Sequence, residues 1–212
     1  MKPILFNSEM SCATRENRKS VTRRLVKMSG VQITGRPKWG DRSEDGGYLF
    51  SVVRFTQGWP EATVVSIKPP YQSGDILYVR ESFAELPVNP DGSLCNKGSV
   101  LYYRADGDLR PKGWRSNNWK PSLHMPKSVA RTFIRVTNVY VEQVQDITEE
   151  QAKKEGVSQD AHLNDEEICF DARKAFAHLW DKTIKKTELE LYGWNANPWV
   201  WVIEYERYYP KQ

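Results

Sequence analysis

The chain has 212 residues, of which 39% are hydrophobic and 27% are charged. This length favours one elaborated domain over residues 1–212, and this composition supports a hydrophobic core and excludes a disordered chain. Lys and Arg number 31 against 27 acidic residues, and the net charge of +4 is compatible with a nucleic-acid partner without requiring one. Three scattered cysteines without a CxxC pair indicate neither a disulfide framework nor a zinc site, so no metal or cofactor is expected.

Short strands and a single helix are predicted for the N-terminal third of the chain. Asn7 is a good N-cap for a helix that begins at Ser8. The predicted elements are a strand at 3–6, a helix at 8–16, a strand or turn at 20–26, a polar loop at 28–47, and hairpin strands at 48–55 and 62–67. Residues 28–68 together form a first insertion.

The middle of the chain is predicted to be rich in β-structure and to carry a second long loop. The turn at residues 69–75 precedes an alternating strand. The predicted elements are strands at 76–80 and 100–104, a loop insertion at 105–122, a short helix at 127–132 and a long strand at 133–144.

Two helices and a final strand are predicted for the C-terminal third. Thr148 and Gln151 form a capping box for a short helix that ends at Gly156. Asn164 and Glu167 predict the start of a longer helix. Its apolar face consists of Ile168, Ala172, Ala175, Phe176 and Leu179. A strand at 199–208 follows, and strands without regular βαβ alternation predict an α+β fold, either a β-barrel or an open antiparallel sheet with helices around it.

Basic residues cluster between residues 15 and 27, where six of them accompany one acidic residue. Within this cluster Thr22, Arg23 and Arg24 could hold a phosphate through charge-assisted hydrogen bonds. Lys19 could join them, or act as a base if burial makes it neutral. A solvated basic turn is the alternative.

Two further groups of residues are candidates for a binding site. The loop at 113–126 combines Trp114 and Trp119 with Arg, Asn and Lys side chains and with His124, which suits stacking on a base and reading of its polar edge. The alternative is that both tryptophans pack inside the loop. Arg80 and Glu81, at the end of a predicted strand, form either a cleft pair or a surface pair.

Five segments of the chain together resemble the ASCH-domain proteins of bacteriophages and prophages, which belong to the PUA-like superfamily. The segments are RKSVTRR at 18–24, PYQSGDILYVRE at 70–81, PSLHMP at 121–126, DITEEQAKKEG at 146–156 and NPWVWVI at 197–203. The resemblance runs over nearly the whole chain. It implies a PUA-like β-barrel with flanking helices, to which this chain adds two long loop insertions.

The resemblance also implies a candidate catalytic site. The superfamily includes small bacterial amidohydrolases that remove the acetyl group from N4-acetylcytidine, with a site of Lys, a Thr three residues later, and a Glu in a helix after the barrel strands. The matching positions here are Lys19, Thr22 and Glu155. Thr148 and Ala152 precede the Glu at the same offsets as in those enzymes.

Two classes of function follow from these residues and this resemblance. One is an amidohydrolase that acts on an N-acylated cytidine-type base; the other is a non-catalytic RNA- or DNA-binding module or a phage accessory protein. The expected partners are RNA, DNA or a free nucleoside. The absence of a signal peptide or long apolar run predicts a monomeric cytoplasmic protein without a membrane partner, in the host cytoplasm if a phage encodes it. The residues expected to bind are Arg23, Arg24, Arg80, Glu81, Trp114, Trp119 and His124.

Overall fold

The structure is a computed structural model that describes residues 1–27, 32–33, 43–44, 46–56, 59–95, 98–114, 119–157, 161–164, 167–169 and 171–210. Within these ranges the chain forms twelve strands and four α-helices. The strands are β1 (Lys2–Leu5), β2 (Val21–Leu25), β3 (Gln32–Ile33), β4 (Tyr48–Thr56), β5 (Trp59–Ile67), β6 (Ile76–Arg80), β7 (Phe83–Leu86), β8 (Val100–Tyr103), β9 (Phe133–Gln143), β10 (Ala161–Asn164), β11 (Glu167–Cys169) and β12 (Trp199–Tyr208). The helices are α1 (Ser8–Arg15), α2 (Glu149–Lys154), α3 (Ala172–Thr183) and α4 (Leu189–Tyr192). The predicted α+β class is confirmed.

The first two helices begin at the capping residues that the sequence predicts. The side chain of Asn7 accepts a hydrogen bond of 2.7 Å from the backbone N–H of Met10, at the start of α1. At α2 the Thr148 hydroxyl accepts from the N–H of Gln151, and the Gln151 side chain accepts from the N–H of Thr148. This reciprocal pair fixes where α2 starts, and therefore also where its last turn lies.

The start predicted for the longer helix at Asn164 is wrong. Asn164 and Glu167 lie in the short antiparallel hairpin β10–β11. The N-cap of α3 is instead Asp171, whose carboxylate accepts from the N–H of Arg173 at 2.9 Å and of Lys174 at 3.2 Å. One carboxylate that satisfies two N–H groups of the first turn, and whose charge complements the helix dipole, defines the start of the helix.

A five-stranded sheet in the order β1-β6-β9-β12-β2 forms the centre of the fold. β1 pairs parallel with β6, and the other three pairs are antiparallel. The predicted β-barrel is not observed as a closed barrel, because β1 and β2 stand at the two edges of this sheet. A side chain links the edges instead of a backbone ladder: Arg24 donates from Nη2 to the Leu5 carbonyl at 2.6 Å.

Each face of the central sheet is covered by a different layer. Alternation along β12 sends Trp201 to one face and Val202 to the other. The Val202 face packs against α2 and α3 through Ala152 and Phe176. Two edge-on aromatic contacts cover the Trp201 face, because the Tyr48 ring lies 5.2 Å and the Phe50 ring 6.1 Å from Trp201.

These two aromatic residues belong to a three-stranded antiparallel sheet, β3-β4-β5. The hairpin predicted at 48–55 and 62–67 is confirmed and extends to the bounds of β4 and β5. Its buried residues Phe50 and Val52 join the main core, so this part of the first insertion belongs to the packed fold. Most of the loop predicted at 28–47 lies outside the described residues.

Candidate functional site

The end of α2 places a carboxylate against the basic segment that precedes β2. Glu155 caps the helix, and Gly156 follows with a φ of +84°, a conformation that favours glycine. A Cβ on Gly156 would also lie 2.9 Å from the Cβ of Ala13 and 3.0 Å from the Cβ of Lys19. The glycine therefore permits the close approach in which Lys19 and Glu155 form an isolated β-bridge.

Lys19 and Glu155 form a buried ion pair, although they are 136 positions apart in the sequence. Lys19 Nζ donates to Glu155 Oε2 at 2.5 Å, and also to the carbonyl oxygens of Glu155 and Val21 at 2.8 Å. Its side chain is 0% exposed, and that of Glu155 is 3% exposed. Burial lowers the pKa of the Lys19 ammonium below its usual value, and the charge of Glu155 opposes that shift.

Arg23 completes this arrangement from the neighbouring strand. Its Nη1 donates to Glu155 Oε1 at 3.1 Å, and its Nε and Nη2 donate to Glu142 Oε1 at 2.8 and 2.6 Å. Burial raises the pKa of the Glu142 carboxyl, although the charge of Arg23 opposes that change. We call Lys19, Arg23, Glu142 and Glu155 the charge cluster. Its two cations and two carboxylates satisfy one another inside the protein.

Thr22 borders the charge cluster without belonging to it. A cavity of about 60 Å³, here called the inner cavity, is lined by Thr22 and Glu155 together with Phe176 and Trp180 of α3. Thr22 is buried, and within the described part of the chain its hydroxyl makes no side-chain hydrogen bond. The structure thus brings two of the three candidate catalytic residues to one cavity and the third, Lys19, to the carboxylate behind it.

An open pocket of about 440 Å³ lies beside the edges of the central sheet. We call it the basic pocket, because its lining contains four cationic residues and no acidic one. The lining residues are Pro3, Ile4, Leu5, Arg24, Leu25, Lys27, Ile67, Lys68, Pro70, Tyr71, Arg80 and Trp201. Its volume lies in the range of small-molecule sites, and its walls combine apolar surface with a few convergent polar groups.

Register explains why Arg24 faces the basic pocket while Arg23 does not. Arg24 stands opposite Trp201 and Arg23 opposite Val202 in the β2–β12 ladder, so the two arginines project from opposite faces of the sheet. Arg24 lines both the basic pocket and the inner cavity. Arg24 is the residue that these two linings have in common.

Arg80 reaches the same pocket from β6, whereas Glu81 points away from it. Glu81 is fully buried and accepts two hydrogen bonds from Arg131, at 2.9 and 3.0 Å. Arg131 also donates to Asp106, at 2.5 and 3.1 Å. Arg80 and Glu81 are thus neither a cleft pair nor a surface pair, because each has a different partner and a different environment.

The two tryptophans of the predicted aromatic loop pack on the two-stranded sheet β7–β8. Trp114 and Trp119 are half-buried against the cluster of β7–β8, which includes Leu86 and Tyr102. The guanidinium of Arg110 lies 4.1 Å from the centroid of the Trp119 ring. These contacts match the packed alternative that the sequence left open.

His124 lies in a 3-10 turn, and its side chain is exposed. The carbonyl of the preceding residue, Leu123, accepts a hydrogen bond of 3.1 Å from Arg80 Nη1. The pocket residues that sequence reasoning missed are Lys27, Lys68, Tyr71 and Trp201. They come from separate segments. Lys27 belongs to the basic cluster at 15–27, and Tyr71 and Trp201 belong to ASCH-like segments, whereas no motif includes Lys68.

No family model, no curated protein and no solved structure matches this chain. Among the residues that the structure describes, no helix is both long enough and apolar enough to cross a membrane. The same residues contain no group of three or more His, Cys, Asp or Glu side chains placed to hold a metal ion.

Proposed function

We propose that this chain is an ASCH-type, PUA-like protein that binds a nucleoside or a nucleic acid in the basic pocket. The observation that carries this proposal is the composition of the pocket, whose described lining contains Arg24, Lys27, Lys68 and Arg80 and no acidic residue. Outside this lining, Glu188 accepts a hydrogen bond of 3.0 Å from Lys27. Cationic groups that converge on a concave surface attract phosphate. Tyr71 adds an aromatic surface on which a base can stack.

The positions of the ASCH-like segments support the same proposal. The segment at 18–24 supplies Arg24, the segment at 70–81 supplies Tyr71 and Arg80, and the segment at 197–203 supplies Trp201. Three stretches that are distant in sequence therefore contribute to one pocket.

The test is a binding titration of fluorescently labelled single-stranded RNA and DNA over a range of salt. Each neutralised phosphate releases counterions, so two or three contacts should reduce affinity roughly tenfold between about 50 and 200 mM salt. Arg24→Gln should weaken binding, and Arg104→Gln, which removes the same charge from an exposed site outside the pocket, should not. Affinity that is flat with salt and equal in both variants would show that the pocket is not the nucleic-acid site.

A second candidate function is amide hydrolysis of an N-acylated cytidine-type base by Lys19, Thr22 and Glu155. It is favoured by the meeting of Lys19 and Glu155 in a buried site, with Thr22 and Glu155 on one cavity. In this proposal the Thr22 hydroxyl attacks the acyl carbon, and Glu155 accepts its proton and delivers it to the leaving amine. The Lys19 ammonium, whose three N–H groups donate to Glu155 and to the Val21 carbonyl, holds the Glu155 carboxylate in place. Water then releases the acyl group from Thr22.

The size of the inner cavity sets a condition on this second function. About 60 Å³ admits one or two water molecules but no nucleobase. Arg24 lines both this cavity and the basic pocket, so a base that enters from the basic pocket could reach Thr22 only if Arg24 moved aside. Turnover would therefore require the inner cavity to widen.

Incubation with a panel of N-acylated cytidines, followed by mass spectrometry of the products, tests hydrolysis directly. Thr22→Ala should abolish turnover, and Thr137→Ala, at an exposed position of β9, should preserve it. Lys19→Ala and Glu155→Ala should also lose activity, but both remove part of the charge cluster, so their folded fraction must be measured alongside. If the wild-type protein turns over no substrate of the panel, the hydrolysis proposal is wrong and only the binding proposal remains.

A further inference from the structure

The enclosed cations of this protein differ in whether a carboxylate neutralises them. Several have a carboxylate oxygen within 2.8 Å, namely Lys19, Arg23, Arg110 and Arg131. Arg24 and Arg80 are different, because no carboxylate lies within ion-pair distance of either among the described residues. Both of them line the basic pocket.

Arg24 is a half-buried cation for which the described residues provide one hydrogen bond. Its Nη2 donates to the Leu5 carbonyl at 2.6 Å, and its guanidinium lies 5.9 Å from the centroid of the Phe6 ring. Burial lowers the pKa of Arg24, as expected for a charge that is withdrawn from water. An enclosed charge without a counter-ion is costly, and most N–H donors of this guanidinium remain available for an anion.

Arg80 is similarly short of partners. Its Nη1 donates to the Leu123 carbonyl at 3.1 Å, and its buried Nε has no hydrogen-bond partner in the part of the chain that the structure describes. Buried polar groups are nearly always hydrogen-bonded in folded proteins, so an orphaned guanidinium nitrogen beside an open pocket points to an absent acceptor.

The backbone of Leu5 brings the two arginines to one place. Leu5 pairs with Arg80 in the parallel β1–β6 ladder, and its carbonyl accepts the hydrogen bond from Arg24. Two positive charges on one side of an acid-free pocket match a phosphate monoester, which carries about −1.5 to −2 near neutral pH. An internal phosphodiester carries only one negative charge and matches them less well.

We propose that Arg24 and Arg80 form a phosphate-monoester subsite and that the basic pocket takes one nucleoside monophosphate. This inference rests on the proposed function and narrows its ligand from a nucleoside or nucleic acid to a nucleoside monophosphate. The phosphate binds between the two guanidinium groups, whose planar donors can each bind two oxygens. Tyr71, whose hydroxyl donates to the Pro3 carbonyl at 2.7 Å, is held in place as an aromatic wall for the base.

Isothermal titration of the 212-residue chain with cytidine 5′-monophosphate, cytidine and inorganic phosphate tests this proposal. Cytidine 5′-monophosphate should bind roughly tenfold more tightly than cytidine, because the subsite adds charge-assisted hydrogen bonds. Arg24→Gln and Arg80→Gln should each lose roughly tenfold in affinity for the nucleotide and clearly less for cytidine, which has no phosphate, so the gap between the two ligands should narrow. Arg104→Gln is the control of equal charge change, and a thermal melt of each variant confirms folding.

Two single-stranded oligocytidylates, with a 5′-phosphate or a 5′-hydroxyl end, distinguish the sources of the monoester. Preference for the phosphorylated end identifies a chain terminus, and binding of both that is much weaker than binding of cytidine 5′-monophosphate identifies the free nucleotide as the ligand. Equal binding of both that is as tight as binding of the nucleotide would show recognition of internal phosphodiesters and overturn the monoester subsite. If Arg24→Gln fails to fold, Arg24→Lys keeps the charge but loses the two-oxygen contact, and its affinity for the nucleotide should still fall.

The other outcomes overturn the inference in distinguishable ways. Equal affinities for cytidine and its monophosphate would remove the phosphate subsite and leave the proposed function intact. Inorganic phosphate that binds as tightly as the nucleotide would remove the assignment to a nucleoside. Failure of every nucleoside, nucleotide and oligonucleotide to bind would overturn both proposals.

Discussion

Arg23 and Arg24 are neighbours in β2 and have opposite environments. Arg23 lies in the charge cluster, where its side chain is 1% exposed and donates to Glu142 and Glu155. Arg24 borders the basic pocket and has a backbone carbonyl as its hydrogen-bond partner. Strand alternation thus divides a basic segment into one residue that is committed to the fold and one that is available to a ligand.

This comparison separates two roles that a count of basic residues merges. Charges with carboxylate partners contribute to the integrity of the fold, and their loss should appear in the free energy of unfolding. Charges without carboxylate partners that face an open pocket should instead affect binding. Substitutions in each region therefore test whether a charge contributes to stability or to binding.

The largest expected effect is the loss of the charge cluster in Glu155→Gln. Removal of this carboxylate leaves the buried Lys19 ammonium and the Nη1 of Arg23 without their anion. We expect a loss of about 3–5 kcal/mol in the free energy of unfolding, measured by urea denaturation. The exposed Glu16, paired with Arg18 at the surface, is the matched control, and Glu16→Gln should change stability little. A loss below about 1 kcal/mol in Glu155→Gln would show that the cluster is not sealed from water.

The next largest effect concerns Trp119 of the predicted 105–122 loop. Like the residues of the charge cluster, Trp119 has its partners within the protein, so its loss should affect stability rather than binding. Trp119 is half-buried on β7–β8 and contacts the guanidinium of Arg110. Trp119→Ala should cost about 1–3 kcal/mol of stability, because partly buried apolar surface and a cation–π contact are lost. Affinity for nucleotides should not change. Lost affinity with an unchanged melting temperature would show instead that Trp119 stacks on a base.

The fold was predictable where local signals are strong. Asn7 and the pair Thr148 and Gln151 marked two helix starts, and alternation marked the hairpin at β4 and β5. The start at Asn164 was misjudged because its spacing to Glu167 imitates a capping box in a segment that pairs as β-structure. The central sheet would form a closed barrel only if its edge strands β1 and β2 were hydrogen-bonded to each other. No local sequence pattern predicts such a long-range pairing.

The candidate site was predictable only in part, for the same reason. The sequence predicts either a strand or a turn at 20–26. Only a strand places Arg23 and Arg24 on opposite faces of a sheet, so their different environments could not be predicted from the sequence. The pairing of Lys19 with Glu155 entered through family resemblance, since 136 positions separate the two residues. The basic pocket went unrecognised, because Lys27, Lys68 and Tyr71 meet there only after the chain folds.

A smaller effect on stability, visible only in acid, should identify the partly buried ion-pair network of Asp106, Arg131 and Glu81. Burial alone would raise the pKa of Asp106, but hydrogen bonds and charge from Arg131 and Arg15 hold that pKa below 3.8. The folded state then binds fewer protons than the unfolded state, so the stability from Asp106 is present above about pH 3.8 and lost as the pH falls through the folded pKa. Asp106→Asn should therefore lose stability less steeply between about pH 5 and pH 2. Parallel curves for the two proteins would contradict the network.

The smallest change in stability is expected for Thr22→Val, and it separates the two candidate functions most cleanly. The Thr22 hydroxyl makes no side-chain hydrogen bond among the described residues, and its side chain lies opposite Ile203 in the sheet. Because no partner loses a hydrogen bond, the free energy of unfolding should stay within about 0.5 kcal/mol of the wild-type value. Nucleotide affinity should also persist, since Arg24 and Arg80 are unchanged. Acyl-cytidine turnover by this variant at the wild-type rate would exclude Thr22 as the nucleophile, whereas its loss from a stable protein that still binds nucleotide would assign the hydroxyl to catalysis.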